Sequence, residues 1–183
     1  MTGDRSDIWV FGYGSLMWNP GFRYVERAQA TLHGFHRSLC VYSHVHRGTP
    51  ERPGLVLGLD RGGSCRGVAF RVPGTEAAAA QAYLRAREQV TLVYREIWRR
   101  VRLLDGRTVE ALAYAVDRRH RQYARGLRPD ELLHHVLQGV GVSGRNPDYV
   151  RATHAQLSSL GVHDATLDWL VRNLPQEAQE AAV

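Results

Sequence analysis

Strand signals fill residues 8–116 with a single helix among them, and helix signals occupy most of the remaining chain. Strands first and helices afterwards argue for an α+β fold rather than alternating βαβ units. Ile8-Trp9-Val10 is a short apolar run of high β-propensity. Residues 55–59 and 66–72 flank the turn-rich Asp60-Arg61-Gly62-Gly63-Ser64, a hairpin signature. A second hairpin pairs 97–104 with 108–116 around Asp105-Gly106, a two-residue turn signal. Segments 29–36 and 38–45 give two weaker strands. So many short strands with antiparallel turns suggest a curled sheet or small barrel.

The helices are set by their boundaries. Thr75 is placed to cap a helix through TEAAAAQAYLRARE, rich in alanine. Pro129-Asp130 opens a second, ending near Gly139 and Gly141. Asn146-Pro147 reads as the cap and first turn of a third, closed by Gly161. Asp164 starts a fourth that ends before Pro175, and residues 175–183 form a tail expected to fray. No repeat or low-complexity linker interrupts residues 1–183, which read as one domain.

Composition excludes several classes. No apolar run approaches the roughly 20 residues that span a bilayer. The start, MTGDRSD, is polar and lacks an apolar leader, so a cytoplasmic protein without membrane attachment is expected. Cys40 and Cys65 lie in apolar runs and read as buried reduced thiols, not a disulfide framework or a zinc site. The net charge is +6, carried by arginine alone, because the chain has no lysine. The arginines are scattered, densest at 118–121 (RRHR), and a nucleic-acid partner is not expected. Without lysine there is no P-loop lysine and no Schiff base.

Two features carry chemistry. In FGYGSL, residues 11–16, Gly12 and Gly14 remove side chains from a loop that follows a strand. Backbone amides can then approach a ligand and form a nest for an anion. The same glycines also suit a strand-ending turn with positive φ. Ser15 lies outside any G-x-S-x-G elbow and reads as a loop hydroxyl or backbone donor. On the helix from Thr75, positions 77, 80, 84 and 88 share one face. Ala77, Ala80 and Leu84 make that face apolar, so Glu88 carries a carboxylate toward the core side at the helix end. Apolar surroundings and the negative end of the helix dipole both raise its pKa toward general-base use. Arg85, a turn earlier, is positioned to pair with it, and on geometry alone a partly buried structural salt bridge is the simpler account. His44 and His46 alternate on one face of a possible strand, and the adjacent His134 and His135 fall on different faces of a helix.

With both features in place, the chain resembles the ChaC-type γ-glutamylcyclotransferases, close to their glutathione-specific branch. WVFGYGSLMWNPGF at 9–22, YSHVHRGTPERPGLVL at 42–57, YLRARE with a later YR at 83–95, and GVSGRNPDYV at 141–150 carry the match. The resemblance implies a small mixed β-barrel with surrounding helices, the γ-glutamylcyclotransferase-like form of α+β. It implies that Gly12, Tyr13, Gly14, Ser15, Leu16 and Met17 bind the γ-glutamyl group through backbone amides. The family's catalytic glutamate falls on Glu88, and Tyr149 matches a position that lines the pocket. The implied reaction is attack of the substrate's own α-amine on its δ-carbonyl, giving 5-oxoproline and, from glutathione, cysteinylglycine. It requires no cofactor and no metal. Arg47, Arg95 and Arg145 are alternative partners for the glycine carboxylate. Gln89-Val90 and Leu92-Val93 depart from the family pattern and imply a bulkier pocket wall. A cyclotransferase for other γ-glutamyl amines, and a non-catalytic γ-glutamyl sensor, stay open as alternatives.

Overall fold

The computed structural model describes residues 6–89 and 91–176. Most of the tail expected to fray, residues 177–183, lies outside the described residues. The chain gathers into two compact units, one of Met1–Tyr42 with Val56–Gly126, the other of Ser43–Leu55 with Leu127–Val183.

The first unit is built on a closed barrel. Strands β1 (Ile8–Gly12), β2 (Glu26–Ser43), β3 (Gly54–Val72), β4 (Tyr94–Leu103) and β5 (Thr108–Val116) close in the order β1-β3-β2-β4-β5. The sheet is mixed. β1 runs antiparallel to β3, with Ile8 opposite Val72 and Gly12 opposite Val68, and parallel to β5, with Val10 opposite Leu112. β4 and β5 pair from Tyr94↔Val116 to Arg102↔Thr108. A closed barrel leaves no edge strand, and Val10, Val72 and Leu112 of its strands are all 0% exposed.

Two strand expectations need correction. The first expected hairpin does not form, because residues 54–72 are one continuous strand. Gly62 and Gly63, at φ +101° and +69°, bend β3 without ending it. The two weak strands are likewise one, β2, with Gly34 at φ +84° inside it. The second hairpin forms as expected, with a different turn. The Gly106 amide donates to Leu103 O at 3.0 Å, so Leu104 and Asp105 are the central residues. Gly106 comes next at φ +94°, the pattern of a turn completed by a left-handed glycine.

Helix α1 (Gly74–Glu88) belongs to the same unit. Ala80 and Leu84 bury its apolar face with Val10, Leu16, Val72, Leu112 and Tyr114. Thr75 is not its cap. It lies inside the first turn, and the Gly74 amide donates instead to Asp7 Oδ1 at 2.9 Å. A remote carboxylate therefore satisfies one of the orphan donors at this helix start.

The second unit contains α2 (Pro129–Gln138), the short ladder β6 (Val140–Gly141) with β7 (Gly144–Arg145), α3 (Asn146–Ser159) and α4 (Ala165–Asn173). Pro129 opens α2 and Gly139 closes it, as the sequence indicates. Asp164 caps α4 by accepting from the Leu167 amide at 3.0 Å. Asn146 departs from its expected role. It is 0% exposed and does not cap α3, because its side chain accepts from Leu55 N at 2.7 Å and donates to Leu55 O at 2.8 Å. One amide side chain thus stands in for a neighbouring strand. Cys40 and Cys65 are buried without a disulfide, and burial pushes the Cys40 thiol up to about 12. Among the described residues, no helix is long and apolar enough to cross a membrane.

Candidate active site

Leaving β1, the chain turns at once into a short 3-10 turn, Ser15–Met17. Its geometry is tight at Gly12. A Cβ there would lie 3.0 Å from Leu16 Cβ and 3.3 Å from the Met17 amide. Gly14 is different. Its φ is −133°, so neither loop glycine takes the positive φ of a strand-ending turn. A Cβ on Gly14 would meet Leu57 Cδ1 at an ordinary 3.6 Å. The loop is pinned from below by Arg37 of β2, which donates to Tyr13 O and Arg66 O, each at 2.6 Å. Met17 N and Asn19 N donate to Gly14 O at 2.9 Å and Ser15 O at 2.8 Å. Tyr13, Leu16 and Met17 are buried, and Ser15 faces solvent. Leu16 therefore packs its side chain into the core and offers a ligand only its backbone.

Glu88 is the last residue of α1, on the face that Ala80 and Leu84 bury. Its side chain is 18% exposed. Burial raises its pKa above the usual carboxylate range, and the nearby Arg87 charge opposes that rise. The ion-pair partner differs from the one expected. Arg85 forms a two-pronged pair with Glu96 of β4, at 2.8 and 2.9 Å, and the Tyr114 hydroxyl donates to the same carboxylate at 3.1 Å. Glu88 is met by Arg87, whose Nε lies 3.3 Å from Oε1.

Arg87 also joins the two halves of the site. Its Nη2 donates to Ser15 Oγ at 2.7 Å, and its Nη1 donates to Asn19 O at 2.8 Å and Tyr83 Oη at 3.2 Å. The glycine loop and Glu88, 72 residues apart for the Ser15–Arg87 contact, are bound through one guanidinium. Sequence reasoning passes over this residue, because neighbours on a helix point to different faces. It passes over Arg37 and Tyr114 for want of any local signal.

The remaining candidates are distributed. Leu92 is 67% exposed at φ +58°, and Val93 is buried with Cys40, Val41 and Val116. The bulkier wall expected from Gln89-Val90 and Leu92-Val93 is corrected. Val90 lies outside the described residues, and Leu92 and Val93 form no common wall, since one faces solvent and the other the core. Arg95 lies 3.8 Å from Asp117 and is mostly exposed. In the second unit, the matching segments 42–57 and 141–150 meet, with Val142 N donating to Val45 O at 2.9 Å and Ser143 N to His46 O at 3.0 Å. Arg47 donates to Ser143 O at 2.6 Å and to Arg145 O at 3.4 Å, and lies 5.3 Å from the Tyr149 ring centroid. His44 and His46 come after the end of β2 and so share no strand face, and His46 Nδ1 is 2.9 Å from Ser143 Oγ. His134 is exposed, while His135 lies 3.3 Å from Pro53 O, so the two face differently as expected.

A closed mixed barrel of this order is the γ-glutamylcyclotransferase-like fold. It superposes on the crystal structure of a gamma-glutamyl cyclotransferase specific to glutathione from yeast with a TM-score of 0.81. That match covers 91% of this chain and 95% of the yeast chain at 24% identity, and it shows a common fold. The chain belongs to the ChaC-like protein family, whose sequence model matches residues 8–177. A protein of Escherichia coli (strain K12) named glutathione-specific gamma-glutamylcyclotransferase is 36% identical over 168 residues, 92% of this chain and 73% of the relative. Glutathione-specific gamma-glutamylcyclotransferase 1 of Mus musculus is 33% identical over 176 residues, 92% of this chain and 78% of the relative.

Proposed function

We propose that this chain is a glutathione-specific γ-glutamylcyclotransferase, an enzyme that releases cysteinylglycine and closes the γ-glutamyl arm to 5-oxoproline. The observation that carries the reading is a proton acceptor in the right environment. Glu88 is buried, holds a raised pKa, and is tied through Arg87 to the glycine loop. The names of the relatives supply the substrate class.

In the proposed mechanism the loop from Gly12 to Met17 holds the γ-glutamyl group folded. The amides of Met17 and Asn19 already serve the loop itself, so the substrate is met by amides earlier in it, from Tyr13 to Leu16. The substrate α-amine arrives mostly as ammonium. Glu88 takes one proton from it, and the neutral amine attacks the δ-carbonyl. Loop amides steady the oxyanion that develops. Protonated Glu88 returns that proton to the departing nitrogen of cysteinylglycine as the bond breaks. It then takes the remaining extra proton from the ring nitrogen and passes it to the freed amine, so the ring ends as a lactam N–H and cysteinylglycine leaves as its ammonium. Atoms balance without water. Holding the arm folded contributes the second large share, since oriented intramolecular attack is worth about 7–11 kcal/mol.

The test compares reduced glutathione with γ-glutamyl-alanine, followed by 5-oxoproline release. Turnover of glutathione with kcat/KM at least tenfold above the dipeptide is expected, because remote contacts to the glycine end strengthen the transition state. Equal rates on the two would replace the glutathione-specific reading with a general γ-glutamyl amine enzyme.

A further inference from the structure

Arg87 is the one cation within ion-pair distance of Glu88 among the described residues. Adjacent positions on a helix diverge by about 100°, so this contact does not follow from sequence adjacency. It forms because the Arg87 side chain folds toward the glycine loop, where Ser15 Oγ and Asn19 O accept from its two terminal nitrogens at 2.7 and 2.8 Å. The side chain is only 22% exposed, and its guanidinium spans four partners, Glu88, Ser15, Asn19 and Tyr83, that a lysine ammonium could not hold in one plane. The other groups near Glu88 are weak rivals. Tyr114 of β5 senses the Glu88 charge but is bonded to Glu96, whose own charge is balanced by Arg85.

We propose that Arg87 is a positioning residue for the reaction, fixing the Glu88 carboxylate to the substrate loop and supplying the counter-charge beside it. The inference rests on the reading of Glu88 as the base. It gives Arg87 two separable duties. The charge favours the ionised form of Glu88 against the effect of burial. The fork sets the distance between carboxylate and loop, and with it the approach of the substrate amine.

The experiment records kcat and kcat/KM for glutathione against pH in the parent, Arg87→Ala, Arg87→Lys and Glu88→Gln proteins, with thermal melting of each. The substrate amine titrates identically in all of them, so a difference between profiles belongs to the enzyme. Arg87→Ala is expected to move the acid limb of kcat/KM up by about one pH unit. Its turnover at neutral pH falls about tenfold or more and recovers as the pH rises only to the level that the missing fork leaves. Arg87→Lys keeps the limb in place and loses turnover through the missing fork. A folded Arg87→Ala protein with an unmoved limb overturns the proposal, as does a limb that moves equally in Arg87→Lys. Should the alanine variant not fold, Arg87→Gln carries the same readout, and failure of both to fold would make Arg87 a scaffold residue and end the proposal. A Glu88→Gln protein with parental turnover would instead remove the base itself, a failure distinct from that of Arg87.

Discussion

Glu88 sits between two opposed forces, burial that favours its protonated form and the Arg87 charge that favours the ionised one. Burial wins, and the consequence runs to both activity and stability. Glu88→Gln is expected to fold and to lose turnover by about 10²–10⁴, the span for removing a positioned general base. The stability change has a definite sign. The folded pKa lies above the unfolded value of about 4.3, so between the two the folded state holds more protons. Stability therefore falls as pH rises through that window, and the deficit persists above it. Glu88→Gln carries no such charge and should melt above the parent near neutrality, with the gap closing below about pH 4. Scanning calorimetry at the two pH values checks this, and a variant less stable than the parent at neutral pH would contradict the account. At Gly14 a Cβ would meet only Leu57, at 3.6 Å, so alanine brings no clash with the rest of the loop. Its effect should fall on substrate affinity, measured by calorimetry with a non-cyclising γ-glutamyl analogue. Unchanged affinity would take the loop out of the site.

Among the elements, α1 is the one that carries Glu88, and its hold on the barrel is Leu84, 0% exposed. Leu84→Ala should cost about 2–5 kcal/mol in urea unfolding. The face at 77, 80, 84 and 88 is legible because a period near 3.6 survives in the sequence. The long strands are not legible. Gly34, Gly62 and Gly63 look like turn residues, yet each sits inside a continuous strand with positive φ. Barrel strands must coil and change partners along their length, and glycine serves that bend as readily as it serves a turn. Asn146 misleads in the same way. Its place before Pro147 suits a cap, and only the packed chain reveals Leu55 as the partner. Asn146→Leu should destabilise by about 2–3 kcal/mol, because it strands a buried N–H and C=O. A melting curve unchanged from the parent would show that these groups find other partners.

At the scale of the molecule, the order of strand and helix signals and two short motifs are enough to point to class and family. The contacts that assemble the site are not in the sequence, because they join residues dozens of positions apart through arginines with no local signature. Many of the chain's arginines are spent this way. Arg71 and Arg107 converge on Glu26, Arg85 on Glu96, Arg118 on Asp60, and Arg37 on two carbonyls. Attack by the substrate's own amine, the centre of the proposed chemistry, predicts a particular product balance. Purified protein incubated with reduced glutathione should yield 5-oxoproline and cysteinylglycine in equal amounts, with no free glutamate and no oxygen from labelled water in the products. Free glutamate carrying the label, or glutathione left unconsumed by folded protein, would contradict it.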